Sequence, residues 1–194
     1  MENIDPNALD RADMERLMAG QDAALNDLMA RHATPVFRFL CRMVGNEDDA
    51  NDLAQETFAR VFRARTNFRL DDKFSTWLYT IAANLARNHF RWRARHPNIS
   101  LDTAADDPDQ SLANVLPAKD ALPSEQTLAV ERAAAVRAEV SRLPEDLREA
   151  TVLCEWEECS VAEAAAILET TPKAVESRLY RARKVLRERL KDWL

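Results

Sequence analysis

Hydrophobic residues recur every three or four positions along most of the chain, which is the period of a helix with one buried face. One such run spans residues 11–43, where Pro35 should kink or split the helix and Gly45 should end it. Further runs cover residues 46–65, where Asn46 can cap a helix with an acidic first turn, and residues 74–93. The chain has only two glycines and no alternating runs of β-branched residues, so we predict an almost entirely helical fold.

The helical periodicity disappears between residues 97 and 123. The stretch 102–125 holds six acidic residues, one lysine and three prolines, a composition that does not support a packed core. We therefore predict two small helical domains, 11–96 and 124–194, joined by a flexible acidic linker over 97–123. Residues 1–10 are expected to form a disordered N-terminus.

The clearest local signal lies near the C-terminus. Ser160 and Glu163 form the S-x-x-E pattern of a capping box, which predicts a helix start. A second helix start follows, because the Thr171 hydroxyl can cap a helix whose first residue is Pro172. Two helices separated by about three residues have the spacing of a helix-turn-helix.

The second helix of this pair has an apolar and a basic face. At about 100° per residue, its apolar side carries Val175, Leu179, Ala182, Leu186 and Leu190. Its polar side and flanks carry Lys173, Ser177, Arg178, Tyr180, Arg181, Arg183, Lys184 and Arg187. Residues 173–191 contain eight basic residues against two acidic ones, although the whole chain has a net charge of −6. Such a helix is typical of major-groove binding, and the capped helix before it favours DNA binding over a merely solvated basic helix.

The helix predicted over residues 74–93 combines aromatic and basic residues. Asn84, Arg87 and Arg91 share one flank, and Trp77 lies nearby. Rings and cations together suit single-stranded nucleic acid, because bases stack on the rings while the cations meet the phosphates. For Trp77 alone, packing in the core is the better interpretation.

The helix predicted over residues 46–65 carries an acidic stripe of Asp49, Asp52 and Glu56. A solvated face held by a Glu56–Arg60 pair would explain the stripe, and so would a docking surface for a protein partner. Composition alone does not decide between these two interpretations.

Several functional classes find no support in the sequence. No apolar run reaches the roughly 18 residues of a membrane span and the first residues lack a signal-peptide pattern, so we expect a cytoplasmic protein without membrane insertion. The three cysteines and three histidines are scattered, which argues against a metal site, and we expect free thiols in the core. No phosphate-binding glycine loop, H-E-x-x-H motif or nucleophile elbow is present, so we expect neither a cofactor nor enzymatic activity.

Three motifs carry a family resemblance. They are D-x-x-Q-E-T-F at 52–58, F-x-T-W-L-Y-x-I-A-x-N at 74–84 and S-R-L-x-R-A-R at 177–183. In this order and spacing, the chain resembles the two-domain sigma factors of bacterial RNA polymerase, the extracytoplasmic-function (ECF) group of the sigma-70 family. The resemblance implies an all-α fold with a sigma region 2-like helical bundle and a sigma region 4-like helix-turn-helix.

The resemblance also implies a role for each surface. The clamp helices of core RNA polymerase would be bound by Asp52, Leu53, Gln55, Glu56 and Phe58. The −10 element of promoter DNA, melted to a single strand, would be held by Phe68, Arg69, Phe74, Trp77, Asn84, Arg87 and Arg91. The −35 element would be read by Lys173, Ser177, Arg178, Tyr180, Arg181, Arg183 and Lys184. The linker would thread the polymerase cleft.

An anti-sigma factor that covers both domains is a further partner that the resemblance implies. The alternative function is a stand-alone dimeric helix-turn-helix regulator, which leaves the arginine-rich surface of residues 74–95 without a role. Two departures from the family pattern concern the −35 domain. Glu176 indicates either a different −35 sequence or a flank residue, and the turn 169–171 has no glycine where a left-handed residue is common.

Overall fold

The computed structural model describes residues 6–96, 123–191 and 193. Within these residues the fold is all-α, as predicted, and its helices are α1 (Pro6–Met18), α2 (Ala24–Val44), α3 (Glu47–Ala64), α4 (Phe74–Arg95), α5 (Pro123–Ser141), α6 (Glu145–Glu155), α7 (Val161–Ile167) and α8 (Pro172–Arg189). No described helix combines the length and apolar character needed to span a bilayer. The predicted linker up to residue 122 and residues 1–5 of the predicted disordered N-terminus lie outside the described residues.

The first domain packs α1, α3 and α4 around α2. Helix α2 completely buries Leu28, Val36 and Phe39. The Phe39 ring meets the Tyr79 ring of α4 edge to face, with the ring centroids 5.2 Å apart. Because burial of each large apolar side chain contributes about 1.5–3 kcal/mol, this central helix accounts for much of the stability of the bundle.

The sequence signals between α2 and α3 are confirmed. Gly45 ends α2 at φ +73°, in the left-handed region that favours glycine. The Asn46 side chain caps α3 by accepting a hydrogen bond from Asp49 N at 2.8 Å. Glu47, Asp48 and Asp49 then lie in the first helical turn, where negative charge is favoured by the helix dipole.

The run at residues 11–43 forms two helices, but the break differs from the predicted one. Helix α1 ends at Met18, and Gly20 takes φ +86° just after it. Pro35, the predicted break, lies inside α2. Proline removes one backbone hydrogen bond there, and the buried apolar face around Val36 offsets that loss.

Residues 6–10, predicted to be disordered, form the start of α1, which corrects that prediction. The Asp10 carboxylate is almost completely buried and lies 2.9 Å from Arg31 Nε and 2.8 Å from His32 Nε2, both on α2. Burial by itself raises the pKa of Asp10, but hydrogen bonds from His32 and Arg31 outweigh burial and lower it. These contacts join residues 21 and 22 positions apart, which a local pattern does not reveal.

The second domain contains the predicted helix-turn-helix, formed by α7 and α8. Ser160 and Glu163 make a complete capping box at the start of α7. Thr171 caps α8 by accepting a hydrogen bond from Ala174 N at 3.2 Å, and Pro172 is the first helical residue. The buried face of α8 is the predicted one: Val175, Leu179 and Ala182 are buried, Leu186 is partly buried, and Leu190 is buried just beyond the end of the helix.

The two domains pack against each other and share one hydrophobic core. Helix α2 contacts α5 and α6, and α4 contacts α7. We call this arrangement the closed form. The sequence predicted two domains and left their relative placement open, because the predicted linker is long enough for packed and separated arrangements.

Polar groups of the second domain also reach into the first. Arg148 of α6 donates to the Met43 carbonyl, near the end of α2, at 2.6 Å, where a cation is favoured by the helix dipole. Glu157, which follows α6, accepts hydrogen bonds from Arg42 at 3.1 Å and from the Tyr79 hydroxyl at 2.6 Å. Removing one partner of a buried ion pair costs about 3–5 kcal/mol, so these contacts make the closed form specific.

We expect Glu169→Gly to stabilise the protein. Glu169 lies between α7 and α8 at φ +52°, so it is the left-handed residue of a turn that lacks glycine. That conformation costs a non-glycine residue about 1–2 kcal/mol. Chemical denaturation followed by circular dichroism should show a free energy of unfolding raised by up to about 1 kcal/mol, since the freedom of glycine in the unfolded chain offsets part of the gain.

Ala166→Gly is the matched control, because Ala166 is exposed inside α7. It should lower the free energy of unfolding by about 1 kcal/mol, the usual cost of glycine inside a helix. A similar loss in both variants would contradict backbone strain at Glu169.

Candidate nucleic-acid interface

Helix α8 presents its predicted basic face to solvent. The exposed residues on this face are Lys173, Ser177, Tyr180, Arg181, Arg183 and Lys184. Arg178 is partly buried on the flank. Tyr180 is 72% exposed, which leaves an aromatic ring and a hydroxyl available at the centre of the face. All residues predicted to read the −35 element therefore lie together on one helix.

Acidic residues of α6 form ion pairs with several of these basic side chains. Asp146 lies 3.9 Å from Arg178 and 3.6 Å from Arg181, and Glu155 lies 2.7 Å from Arg183. Exposed pairs of this kind contribute about 0–1 kcal/mol, so a phosphate can replace either carboxylate. Three further cations, Lys173, Lys184 and Arg187, form no ion pair with another residue that the structure describes.

A groove of about 580 Å³ runs along α8. Tyr180 and Arg183 line it on α8, and Val161 lines it at the start of α7. Glu176 and Glu188 contribute its acidic groups. Glu176 is exposed beside Tyr180, so this residue, which departs from the family pattern, lies on the solvent side of α8 and not on its core side.

Three aromatic residues predicted for the −10 strand form one cluster. The Phe68 ring lies 6.0 Å from the Phe74 ring and 5.1 Å from the Trp77 ring, between centroids. Phe68 is only 4% exposed and Phe74 only 2%, so neither offers an open face on which a base could stack. Both instead line a cavity in front of the loop that precedes α4. Trp77 packs against the hydrophobic core, in agreement with the packing interpretation.

The polar residues predicted for the −10 strand lie on that loop and along α4. Arg69 and Arg91 are exposed, and Asn84 is half-buried. Arg87 is already paired, because its Nε donates a hydrogen bond to Glu149 of α6 at 2.9 Å. The Arg87 side chain is 21% exposed and the Glu149 side chain 5%. In the closed form, a carboxylate of the second domain is therefore paired with one of the predicted DNA-binding side chains.

The acidic stripe on α3 is open to solvent. Partly or fully exposed along it are Asp52, Leu53, Gln55 and Glu56. Phe58 is only 4% exposed, so it packs in the core and supports the helix from inside. Glu56 accepts hydrogen bonds from Arg60 and Arg63, both at 2.8 Å, and these bonds lower the pKa of Glu56. The predicted Glu56–Arg60 pair is thus present beside side chains that remain open to a partner.

The cysteines are free thiols, as predicted, with Cys41 buried and Cys154 and Cys159 partly buried. Burial raises the pKa of Cys41 to about 11 and that of Cys159 to about 12, so both thiols stay protonated and unreactive at neutral pH. Among the residues that the structure describes, no three His, Cys, Asp or Glu side chains gather as metal ligands would.

Comparison with known proteins matches this two-domain layout. The family model "Sigma-70 region 2" matches residues 28–96, and the model "Sigma-70, region 4" matches residues 133–186. The RNA polymerase sigma-H factor of Pseudomonas aeruginosa is 35% identical over 185 residues, which cover 93% of this chain and 93% of that protein. The chain belongs to the sigma-70 family. The ECF sigma factor SigW of Bacillus subtilis, 30% identical over 92% of this chain and 95% of its own length, indicates the ECF group.

Two solved structures share the fold. CnrH, solved in complex with the cytosolic domain of CnrY, is 27% identical with a TM-score of 0.68 and covers 95% of this chain and 98% of that one. RpoE of Bartonella quintana, solved with the anti-sigma factor NepR, has a TM-score of 0.65 at 24% identity over 86% of this chain and 96% of that one. The sequence relatives, which match both domains, show that the protein is an ECF sigma factor, a factor that directs transcription initiation at promoters. The stand-alone regulator gains no support, because the relatives match both domains.

No local pattern drew attention to the acidic residues that join the domains of this sigma factor. Glu149 and Glu157 lie among other charged residues in the sequence, and their burial arises from contact with the first domain. One signal was available for Glu149. It lies three positions before Val152 and four before Leu153, which places a carboxylate on the buried face of α6.

We expect the closed form of this sigma factor to open as pH rises. Burial raises the pKa of Glu149 to about 7 from the ordinary 4.5, against the opposing charge of Arg87. A carboxyl group with a higher pKa in the closed form takes up a proton on closing, so closing is most favoured below pH 4.5 and this contribution is lost as pH rises through 7. The contribution is at most about 3 kcal/mol.

Small-angle X-ray scattering at constant salt should show a radius of gyration that grows between about pH 5.5 and pH 8. Glu149→Gln should weaken this dependence, because glutamine does not titrate, and the remainder should come from Glu157, whose pKa is also raised by burial at the same boundary. Glu131→Gln is the control, since Glu131 is exposed on α5. The same pH dependence in wild type and in Glu149→Gln would assign the titration to another group.

Proposed function

We propose that this sigma factor divides promoter binding between its two domains and docks on core RNA polymerase through the acidic stripe of α3. The observation that supports this division is that each domain presents exposed arginines on a surface of its own. Arg69 and Arg91 lie on the first domain, and Arg181 and Arg183 lie on the second. The two surfaces differ in shape, and each suits a different form of DNA.

The surface of α8 suits duplex DNA. A major groove about 12 Å wide admits one α-helix, and α8 is the second helix of a helix-turn-helix. Ser177, Tyr180 and Arg181 occupy its open face and would meet base edges of the −35 element. Arg178, Arg183 and the two lysines of this face lie around them and would contact phosphates.

The loop before α4 and the side of α4 suit a melted −10 strand. Unstacking a base costs a few kcal/mol, which contacts to the free base and to the backbone can offset. The cavity lined by Phe68 and Phe74 would receive such a base. Asn84 and Arg91 would follow the strand along α4, and Arg87 would join them once Glu149 has moved away.

The acidic stripe suits a basic protein surface. Asp52 and Gln55 are exposed, while Arg60 and Arg63 orient the Glu56 carboxylate. Leu53 supplies an apolar contact beside these polar groups, and Phe58 holds the helix in place from inside. We assign this surface to the clamp helices of core RNA polymerase.

The closed form is proposed to be a resting state that opens for promoter binding. Arg87 cannot hold DNA while it is paired with Glu149. An anti-sigma factor that contacts both domains would stabilise the closed form, since a ligand that binds only one of two states shifts the population towards that state. Support for such a partner comes from CnrH, a similar protein that was solved with the cytosolic domain of another protein bound.

We further propose that the protein acts in the cytoplasm and has no catalytic activity of its own. Core RNA polymerase and promoter DNA, its proposed partners, are located there, and the polymerase supplies the chemistry of RNA synthesis. Turnover assays without polymerase should therefore show no reaction.

The direct test of the proposed function is transcription in vitro with core RNA polymerase on a fragmented library of genomic DNA, followed by sequencing of RNA 5′ ends. Specific starts that share −35 and −10 motifs are expected. Asn84→Ala should retain polymerase binding but lower open-complex formation on the order of tenfold, as permanganate footprinting of unpaired thymines would show. Asn26→Ala, at an exposed position of α2, should behave as wild type. Normal melting with Asn84→Ala would remove this residue from the proposed site.

Arg181 and Arg187 should differ in their effect on −35 binding. Arg181→Ala should weaken binding by about 1–3 kcal/mol and change the preferred base at one position, because Arg181 lies on the open face of α8. Arg187→Ala should weaken binding to all sequences alike and reduce the salt dependence by about one charge, as expected of a phosphate contact. Affinities for duplexes varied at each −35 base would check this. Uniform losses in both variants would contradict the assignment of faces.

A further inference from the structure

An acidic residue, Glu176, interrupts the basic surface of α8. Residues 173–184 carry five basic side chains, and Glu176 is the one acidic side chain among them. The sequence left two interpretations open, a different −35 sequence or a charge on the flank of the helix. A carboxylate on this surface repels DNA phosphates and so lowers the affinity for every sequence, unless a base donates a hydrogen bond to it. The place of Glu176 on the helix favours the first interpretation.

Glu176 lies in the second turn of α8, which begins at Pro172. It is exposed, next to Ser177 and one turn before Tyr180, two residues proposed to meet base edges. The first turns of a recognition helix are the ones that approach base edges in the major groove. Glu188, the other acidic residue of α8, is also exposed but lies about 18 Å further along the helix axis. Glu176 is therefore the acidic residue of α8 that is placed to reach a base.

The two flanks of α8 differ at this level. On one flank, Arg178 lies 3.9 Å from Asp146 of α6, so the second domain itself covers that flank. On the other flank, Glu176 and Tyr180 line the groove that opens beside Val161 at the start of α7. The Glu176 carboxylate therefore has open space in front of it.

Within the described part of the chain, Glu176 has no structural partner. It forms no hydrogen bond or ion pair with any described residue, although Lys173 lies one turn earlier. Arg183 lines the same groove but is paired with Glu155 at 2.7 Å. Glu176 does not cap the helix either, because the Thr171 hydroxyl does so. Its carboxylate is thus available to a donor from outside the protein.

The donor that a carboxylate can meet in the major groove is an exocyclic amino group, because a carboxylate only accepts hydrogen bonds. Cytosine and adenine present such a group there, whereas guanine presents two acceptors and thymine presents an acceptor and a methyl group. Adenine also places its N7 acceptor beside the amino group, and this lone pair repels a carboxylate. Cytosine has no acceptor on its major-groove edge, so it is the base that suits Glu176 best.

We propose that Glu176 is a specificity-determining residue of the −35 site, which selects cytosine by accepting a hydrogen bond from its amino group. This inference rests on the proposed function, because it takes α8 as the helix that reads the −35 duplex. Adenine ranks second at the contacted position, and guanine and thymine are rejected because they offer the carboxylate no donor. The basic side chains around Glu176 contact phosphates, and their attraction offsets the repulsion by this one carboxylate.

The test uses the full chain bound to core RNA polymerase and promoter DNA whose −35 duplex is randomised, with sequencing of the bound fraction. At one position, wild type should prefer cytosine over guanine and thymine about tenfold. Glu176→Ala should remove this preference and leave the other positions unchanged. Glu176→Gln should move the preference to adenine, because an amide accepts from the adenine amino group and donates to N7. A variant that failed to fold could not gain a new preference.

Glu188→Gln is the matched control, since Glu188 is exposed on the same helix and the substitution removes the same charge. Both glutamine variants should bind all sequences more tightly, because each removes a negative charge that repels phosphates. Only Glu176→Gln should change the preferred base.

Two outcomes would overturn the inference alone. One is an unchanged order of bases in both Glu176→Ala and Glu176→Gln with a uniform change in affinity, which would make Glu176 a flank charge. The other is a wild-type preference for a base other than cytosine at the position that Glu176→Ala alters. If wild type selects no base anywhere in the −35 duplex, the role of Glu176 and the proposed −35 role of the second domain both fail.

Discussion

Buried polar groups that are paired across the domain boundary specify the closed form. Glu149 and Glu157 of the second domain find their partners, Arg87 and Arg42, on the first. A buried carboxylate without a partner is costly, so the domains have to meet in this one register or separate far enough for water to reach both groups. The same pairs therefore specify the closed form and allow it to open.

This dependence connects the packing of the domains to DNA binding. Arg87 belongs to the surface proposed for the melted −10 strand, and Glu149 takes the position that a phosphate would occupy in the open form. In the proposed function, promoter DNA and the second domain compete for one guanidinium. Polymerase and DNA would favour the open form, whereas an anti-sigma factor that contacts both domains would favour the closed form.

Within the first domain, a second set of buried charges shapes the surface proposed to face DNA. Asp10 pairs with Arg31 and His32, and this contact turns residues that looked disordered in the sequence into a wall of the cavity. The Phe74 ring meets the His32 ring edge to face, and the Phe68 ring packs against Phe74. Phe68 and Phe74 pack beneath the cavity, so its open groups are polar ones, among them Arg11 of α1.

The sequence by itself determined the features that depend on neighbours a few residues apart. It predicted the helical fold, the caps at Asn46 and Ser160, the basic face of α8 and, through three short motifs, the sigma-70 family. Only the tertiary structure decided the order at the start of α1, the burial of Phe68 and the pairing of Arg87. Each of these depends on groups brought together from distant parts of the chain, because whether a side chain is buried, paired or open is set by packing between helices and not by the local pattern.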